Sequence, residues 1–278
     1  MSDYSRRDFL RTTAMGATAL TATSARLLAA YKKIPIGVQL YSVRQEMAKD
    51  VPGTIAGIKK VGFDGVEFAG YFKYEAKAMR KLLDDNGLKC CGSHVQLPTL
   101  QGDELAKTIE YNKILGNQFL VVPSLPPAKT LADWDKFAGN FNAIVEKLKP
   151  HKMYLGYHNH TVEFKSMDGQ VPLEYFFSKT KKNVFMQVDI GHWAHAGGDP
   201  AALIKKFPGR ALTVHAKDWS DTKRDAVVGE GIVKWPEVLK ACESAGKTKW
   251  YIIEEESGMY QGLAGIERSR QGLKKLLG

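Results

Sequence analysis

Val184-Phe185-Met186-Gln187-Val188-Asp189-Ile190-Gly191-His192 is an apolar run that closes on a carboxylate, a glycine and an imidazole. It reads as a buried strand that carries Asp189 to its C-terminal end and leaves His192 just beyond. Successive strand side chains point to opposite faces, so Gln187 and Asp189 share one face while Met186 and Val188 share the other. Polar groups on a buried face need partners, which a metal ion or a polar substrate would supply. The competing reading is that Asp189 caps the helix that follows.

The same pattern recurs on both sides of this stretch. Apolar strands are expected at 34–40, 65–68, 89–95, 119–123, 154–160, 184–190, 211–217 and 250–255. Helical periodicity is expected at 51–60, 75–86, 103–115, 131–148, 172–179, 200–207, 236–244 and 263–277. Strand and helix alternating eight times over 31–278, close to the ~250 residues typical of the class, predict a single-domain α/β protein, a (β/α)8 TIM barrel. A doubly wound open sheet is disfavoured because no Gly-rich phosphate turn follows the first strand.

Active sites of such barrels lie where the C-terminal strand ends meet the following loops. At those ends stand Gln39 and Arg44 after the first strand, Glu67 on the second, His94 on the third, and His158, Asn159 and His160 on the fifth. Asp189 and His192 follow on the sixth, His215, Lys217 and Asp218 on the seventh, and Glu254, Glu255 and Glu256 on the eighth. Residues two apart share a face, which pairs His158 with His160, His215 with Lys217, and Glu254 with Glu256. One consistent assignment turns all of these and Asp189 toward the barrel axis. His158, Asp189, His215 and Glu254 then form a nitrogen-and-oxygen ligand set suited to Mn²⁺, Zn²⁺, Co²⁺ or Fe²⁺ rather than Mg²⁺. Glu254, Glu256, His160 and Lys217 are candidates for proton transfer, with Gln39, Glu67, His94 and His192 for binding hydroxyls.

The N-terminus has a different character. Ser5-Arg6-Arg7-Asp8-Phe9-Leu10 precedes a mildly apolar run, without acidic residues, that ends near Leu28-Ala29-Ala30. It resembles a twin-arginine export signal, too short to span a bilayer. Residues 1–30 are therefore set aside from the barrel at 31–278, and a periplasmic location without a stable membrane anchor is expected. Without these residues the formal charge falls from +10 to +8, because four arginines leave with two aspartates. The lysines are scattered along candidate helices instead of forming an aromatic-interleaved patch, so a nucleic-acid partner is not expected. Cys90 and Cys91 are adjacent and point to opposite faces of a strand, and with Cys242 they are expected to be buried thiols.

Seven segments taken in order carry a resemblance. Gly-Val-Gln-Leu-Tyr-Ser-Val-Arg (37–44), Val-Gly-Phe-Asp-Gly-Val-Glu-Phe (61–68), Gly-Tyr-His-Asn-His (156–160), Val-Asp-Ile-Gly-His (188–192), His-Ala-Lys-Asp (215–218), Gly-Glu-Gly (229–231) and Ile-Ile-Glu (252–254) look like the xylose isomerase-like TIM barrels of sugar phosphate isomerases and epimerases. The resemblance implies a divalent metal held by acidic and His side chains of strands five to eight, and a polyhydroxylated substrate bound through adjacent oxygens. In the family's epimerases, Glu residues on strands five and eight are both ligands and an acid/base pair. Asp189, His215 and Glu254 match that pattern, whereas His158 replaces the strand-five Glu.

The expected function is that of an exported, metal-dependent enzyme on a small sugar or keto-sugar, with metal-assisted proton transfer next to a carbonyl leading to isomerisation or epimerisation. The alternatives are elimination or hydration of a 3-keto-glycoside, and a catalytically silent sugar-binding barrel. Apurinic endonucleases share the superfamily but need further ligands, including a late Asp-x-His pair, and no histidine lies between His215 and Trp250. The fold class also admits a homo-oligomer. Replacing both Arg6 and Arg7 by lysine is expected to retain the protein in the cytoplasm on cell fractionation; undiminished periplasmic protein would refute the export reading.

Overall fold

The computed structural model describes residues 34–222, 226–256, 260 and 262–278. The paired arginines and the 1–30 segment lie outside the described residues. Eight parallel strands close in sequence order: β1 (Ile36–Gln39), β2 (Gly65–Ala69), β3 (Lys89–His94), β4 (Phe119–Val122), β5 (Tyr154–His158), β6 (Val184–Asp189), β7 (Thr213–Ala216) and β8 (Trp250–Ile253). Pairing of Ile36 with Tyr251 and of Gly37 with Ile252 joins β1 to β8 and closes the barrel, so the expected TIM barrel is the fold and the open sheet is excluded.

Ten α-helices are found among the described residues: α1 (Arg44–Lys49), α2 (Val51–Val61), α3 (Ala76–Asp85), α4 (Glu104–Leu115), α5 (Leu131–Leu148), α6 (Pro172–Lys179), α7 (Ile190–His195), α8 (Pro200–Lys206), α9 (Trp235–Ala241) and α10 (Gly262–Leu277). None of the described helices is long and apolar enough to cross a membrane. Helices α5 and α6 begin and end where periodicity places them. A reciprocal capping box between Thr130 and Asp133 fixes the start of α5, and Pro172 opens α6 at a position where its missing N–H costs nothing.

Two short helices, α1 and α7, are not legible in the sequence. Each has six residues, too few to display helical periodicity. Their presence explains why the strands stop short of the expected ends: the chain turns into a 3₁₀ helix at Leu40–Val43 immediately after β1 and into α7 immediately after β6.

Strand parity fills the barrel. Cys91, Phe119, Val121, Phe185, Trp250 and Ile252 pack into one buried cluster. Gly156 makes room for it on β5, since a Cβ there would stand 2.5 Å from the Phe185 ring. All three cysteines are buried free thiols. The alternating positions nearer the C-terminal end are polar: Gln39, Glu67, His158, Gln187, Asp189 and His215 are each at most 2% exposed.

Beneath β6, Arg210 is 6% exposed and donates to Val184 O at 2.8 Å, Phe177 O at 2.7 Å and Thr180 Oγ1 at 2.6 Å. Arg210→Leu removes all three bonds; Phe177 O and Thr180 Oγ1 keep the 3.3 Å bond between them, so at about 1–3 kcal/mol for a buried unsatisfied group the change is expected to cost roughly 2 kcal/mol or more. Urea unfolding checks this; a loss below about 1 kcal/mol would show that water replaces the guanidinium.

Candidate active site

The two readings of Asp189 turn out to be shared between its oxygens. Oδ1 accepts from the backbone N–H of His192 at 2.7 Å and caps α7. Oδ2 is buried with no hydrogen-bond partner. Asn159 ties the ends of β5 and β6 together: its Oδ1 accepts from Asp189 N at 2.9 Å, and its Nδ2 donates to Asp189 O at 3.3 Å. Next to this clamp, His158 Nδ1 is also buried and unpartnered.

Both orphaned atoms belong to residues of one group. His158, Asp189, His192 and Glu254 each offer a ligand atom, all lying within 4.8 Å of one another. His192, placed among the hydroxyl-binding residues from sequence, joins through the first turn of α7, beyond the reach of strand parity. His215 approaches the same carboxylates from β7, its Nδ1 lying 3.1 Å from Glu254 Oε2 and 3.8 Å from Asp189 Oδ2. Its ring centroid is 4.6 Å from that of His158.

Burial and neighbouring charge set the protonation states. Burial pushes the Asp189 carboxyl up to about 7 although Lys217 opposes it. Burial holds His158 well below the usual imidazole range and, with the Lys217 cation beside it, brings His192 down to about 3. His160 is lowered by burial as well. These three imidazoles are neutral near pH 7; His158 and His160 keep a lone pair for a cation or a hydroxyl, and that of His192 is free for one only when Lys217 gives up its bond to Nε2. Burial works against ionisation of Glu254, but Lys217 and His215 outweigh it and hold this carboxyl well below its ordinary value. Burial would likewise lower His215, yet Glu254 and Glu67 bring it up to about 10.

A cavity of about 600 Å³ opens over this floor, with His94, His158, His160, His192, Glu254 and Glu256 in its wall. A second lobe of about 200 Å³ meets it at His192, Glu254 and Glu256 and contains Lys217. Lys217 pairs with Glu256, lies 3.6 Å from Glu254 and donates to His192 Nε2 at 3.2 Å. Burial opposes its charge, but Glu254 and Asp189 raise it further, so it remains an ammonium. Tyr41, 43% exposed at the mouth, had no signal in the sequence beyond its place after β1.

Gln39 and Glu67 do not reach this cavity. Both are 0% exposed, and Gln39 Nε2 donates to Glu67 Oε2 at 2.8 Å. Gln187, expected to need a metal or substrate, is satisfied by protein: its Nε2 donates to Glu67 Oε1 at 2.7 Å and Thr213 Oγ1 at 3.0 Å. Asp218 is a loop anchor, accepting from Gly229 N at 2.9 Å, Val233 N at 3.2 Å and Trp235 Nε1 at 2.7 Å. Glu163, which the sequence reading left unassigned, accepts from His160 N at 2.9 Å and Tyr157 OH at 2.6 Å and so orders the turn that presents His160. Its signal was the three-residue spacing at which a carboxylate returns to a backbone N–H.

The donor set fits a divalent cation. It combines two carboxylates with neutral imidazoles, and two of its residues, His158 and Asp189, each carry a buried polar atom without a hydrogen-bond partner.

The family model of the xylose isomerase-like TIM barrel matches residues 55–276, and the chain belongs to that family. Over 251 residues it is 24% identical to the rhizopine catabolism protein MocC of Rhizobium meliloti, covering 76% of this chain and 77% of that protein. Over 242 residues it is 21% identical to the inosose dehydratase of Geobacillus thermodenitrificans, covering 73% of this chain and 80% of that one. In fold it is similar to a sugar phosphate isomerase/epimerase from Parabacteroides distasonis, with a TM-score of 0.77 at 24% identity over 88% of this chain and 95% of that one. The family thus joins sugar isomerase- and epimerase-like enzymes with dehydratases.

Asp189→Ala is expected to lower Zn²⁺ or Mn²⁺ affinity by more than about 100-fold, beyond the roughly 10–100-fold cost of losing an outer partner, with the barrel still folded by circular dichroism. His158→Glu should keep the metal but move its preference toward Mg²⁺ or Mn²⁺, because it adds a hard anionic oxygen. Unchanged occupancy and preference in both variants, by competition binding, would place the ligands elsewhere.

Proposed function

We propose that this chain is a metal-dependent enzyme that removes a proton next to the carbonyl of an unphosphorylated sugar or cyclic polyhydroxy ketone and expels a neighbouring oxygen. The observation that supports it most directly is the pair of buried, unpartnered donors, His158 Nδ1 and Asp189 Oδ2, in one ligand group beneath the cavity. A divalent cation held there by His158, Asp189, Glu254 and either His192 or His215 would supply Lewis acidity to a carbonyl and its adjacent hydroxyl.

Elimination is favoured over two-base epimerisation by the asymmetry of the wall. Carboxylates stand on the β8 side, Glu254 and Glu256, while the β5 and β6 side presents the neutral imidazoles of His158, His160 and His192. Glu256 accepts the proton of the C–H bond, whose electron pair becomes the new carbon–carbon double bond. Lys217 donates a proton to the departing oxygen, and Glu256 returns its proton to Lys217 across their ion pair. His160 and His192 orient substrate hydroxyls. Export by the twin-arginine route belongs to this proposal and rests on Arg6, Arg7 and the apolar run after them.

Incubation of the metal-loaded protein with a panel of keto-sugars and cyclic polyhydroxy ketones in D₂O, followed by NMR, is expected to show loss of water or alcohol from one substrate, with deuterium exchange at the carbon next to its carbonyl. Glu256→Gln should slow both by about 10²–10⁴-fold while metal content stays the same. Exchange of equal rate in that variant would remove Glu256 as the base, and inversion at carbon without elimination would favour the epimerase reading.

A further inference from the structure

Glu67 is the most completely engaged side chain of the barrel interior. Sequence placed it among the substrate-binding residues, yet it is 0% exposed and its two oxygens receive donors from four strands. Gln39 Nε2 on β1 reaches Oε2 at 2.8 Å, and Gln187 Nε2 on β6 reaches Oε1 at 2.7 Å. His215 Nε2 on β7 lies 2.6 Å and His94 Nε2 on β3 lies 3.3 Å from Oε2. A carboxylate is acceptor-only, with room for about four donors, so Glu67 is saturated and has no lone pair to offer a substrate.

The fold is shaped around it. A Cβ at Gly92 would lie 2.4 Å from Glu67 Oε1, and the β2–β3 register shifts between Val66 and Glu67. The donors are also locked in direction. Gln39 Oε1 accepts from Tyr41 N at 3.1 Å, so its amide cannot flip without breaking that bond. Gln187 Oε1 lies 2.7 Å from His94 Nε2, which fixes its amide in the same way. Gln39 and Gln187 therefore each point an N–H at Glu67, His94 gives its Nε2 proton to Gln187 while lying alongside, and because a carboxylate only accepts, the His215 nitrogen that faces it must carry a proton.

We propose that Glu67 is a positioning residue that keeps the proton on His215 Nε2, so that a divalent cation displaces the other proton, the one Nδ1 shares with Glu254 Oε2 at 3.1 Å, and is met by Nδ1. The proposal rests on the metal reading above. A carboxylate behind a ligating imidazole fixes the ring and strengthens it as a donor. On this view His215 completes the ligand set through a contact to a strand, β2, that contributes no ligand itself, and the negative charge absent at His158 is supplied through His215 from beneath.

The test is Zn²⁺ binding to ¹⁵N-histidine-labelled protein, followed by NMR and by competition titration. In the wild type, His215 should keep a hydrogen-bonded Nε2 proton and ligate through Nδ1. Glu67→Gln, which turns one acceptor into a donor facing donors, should weaken Zn²⁺ binding about 10–100-fold and move the Nε2–H resonance upfield while the protein still unfolds cooperatively. Glu67→Asp, which keeps the acceptor, should lose less. Unchanged Zn²⁺ affinity with an unchanged His215 resonance in Glu67→Gln overturns the proposal. So does wild-type His215 ligating through Nε2, which needs no variant to be seen. A wild-type protein that takes up neither Zn²⁺ nor Mn²⁺ overturns the metal reading and this proposal together.

Discussion

A carboxylate removed from water must be met, oxygen by oxygen, by a donor or a cation, and the upper barrel is organised by that demand. Glu67, Asp189 and Glu254 lie within one polar layer at 6% exposure or less. His215 joins them physically, with one nitrogen on Glu67 and the other facing Glu254 and Asp189. Lys217 meets Glu254 from the rim. Of the six oxygens, Asp189 Oδ2 is buried without a hydrogen-bond partner. The protein balances most of the buried charge with its own cations and leaves a specific remainder at Asp189, beneath the cavity floor.

That demand also explains the division of the interior into two zones. The lower layer, around Phe119, Phe185 and Trp250, is apolar and buried, so the polar layer above it lies against a low-dielectric surface. The low dielectric strengthens each bond to Glu67 and equally raises the cost of losing one. Such a layer orders its members collectively: Gln39, His94, Gln187 and His215 come from four strands yet hold their orientation through one carboxylate.

Most of the fold and the identity of the polar rim were legible in the sequence, because both follow from short-period rules. Strand–helix alternation specified the barrel, and parity separated Gln187 and Asp189 from Met186 and Val188. What parity cannot specify is depth. His94 ends β3 and lines the cavity, whereas Glu67 stands in the middle of β2, two residues before its end at Ala69, and lies in the buried layer. It also cannot follow a side chain once the strand ends. His192 reaches the ligand group from a helix of six residues, and Asp218, expected at the rim, is drawn back by three donors of the loop that follows β7.

The charge of the rim bears on what the cavity admits. Phosphate esters are held by Arg or Lys side chains, or by backbone N–H groups at helix N-termini and nests. None of the described residues lining the main cavity is Arg or Lys. Lys217, in the adjoining lobe, is already paired with Glu256. The N-terminus of α7 opens on the site, but Asp189 Oδ1 takes the N–H of His192 there. Apart from a cation held at Glu254, a phosphate dianion would thus meet no unpaired cationic side chain among the described lining residues. The volume leaves room for more than a single ring. About 600 Å³ corresponds to about twenty waters at roughly 30 Å³ each, whereas a lone six-membered sugar has about a dozen heavy atoms, each with its hydrogens needing no more room than a water. The space left over is bounded in part by Tyr41 and Pro123, whose ring faces suit the C–H face of a second ring or an apolar group.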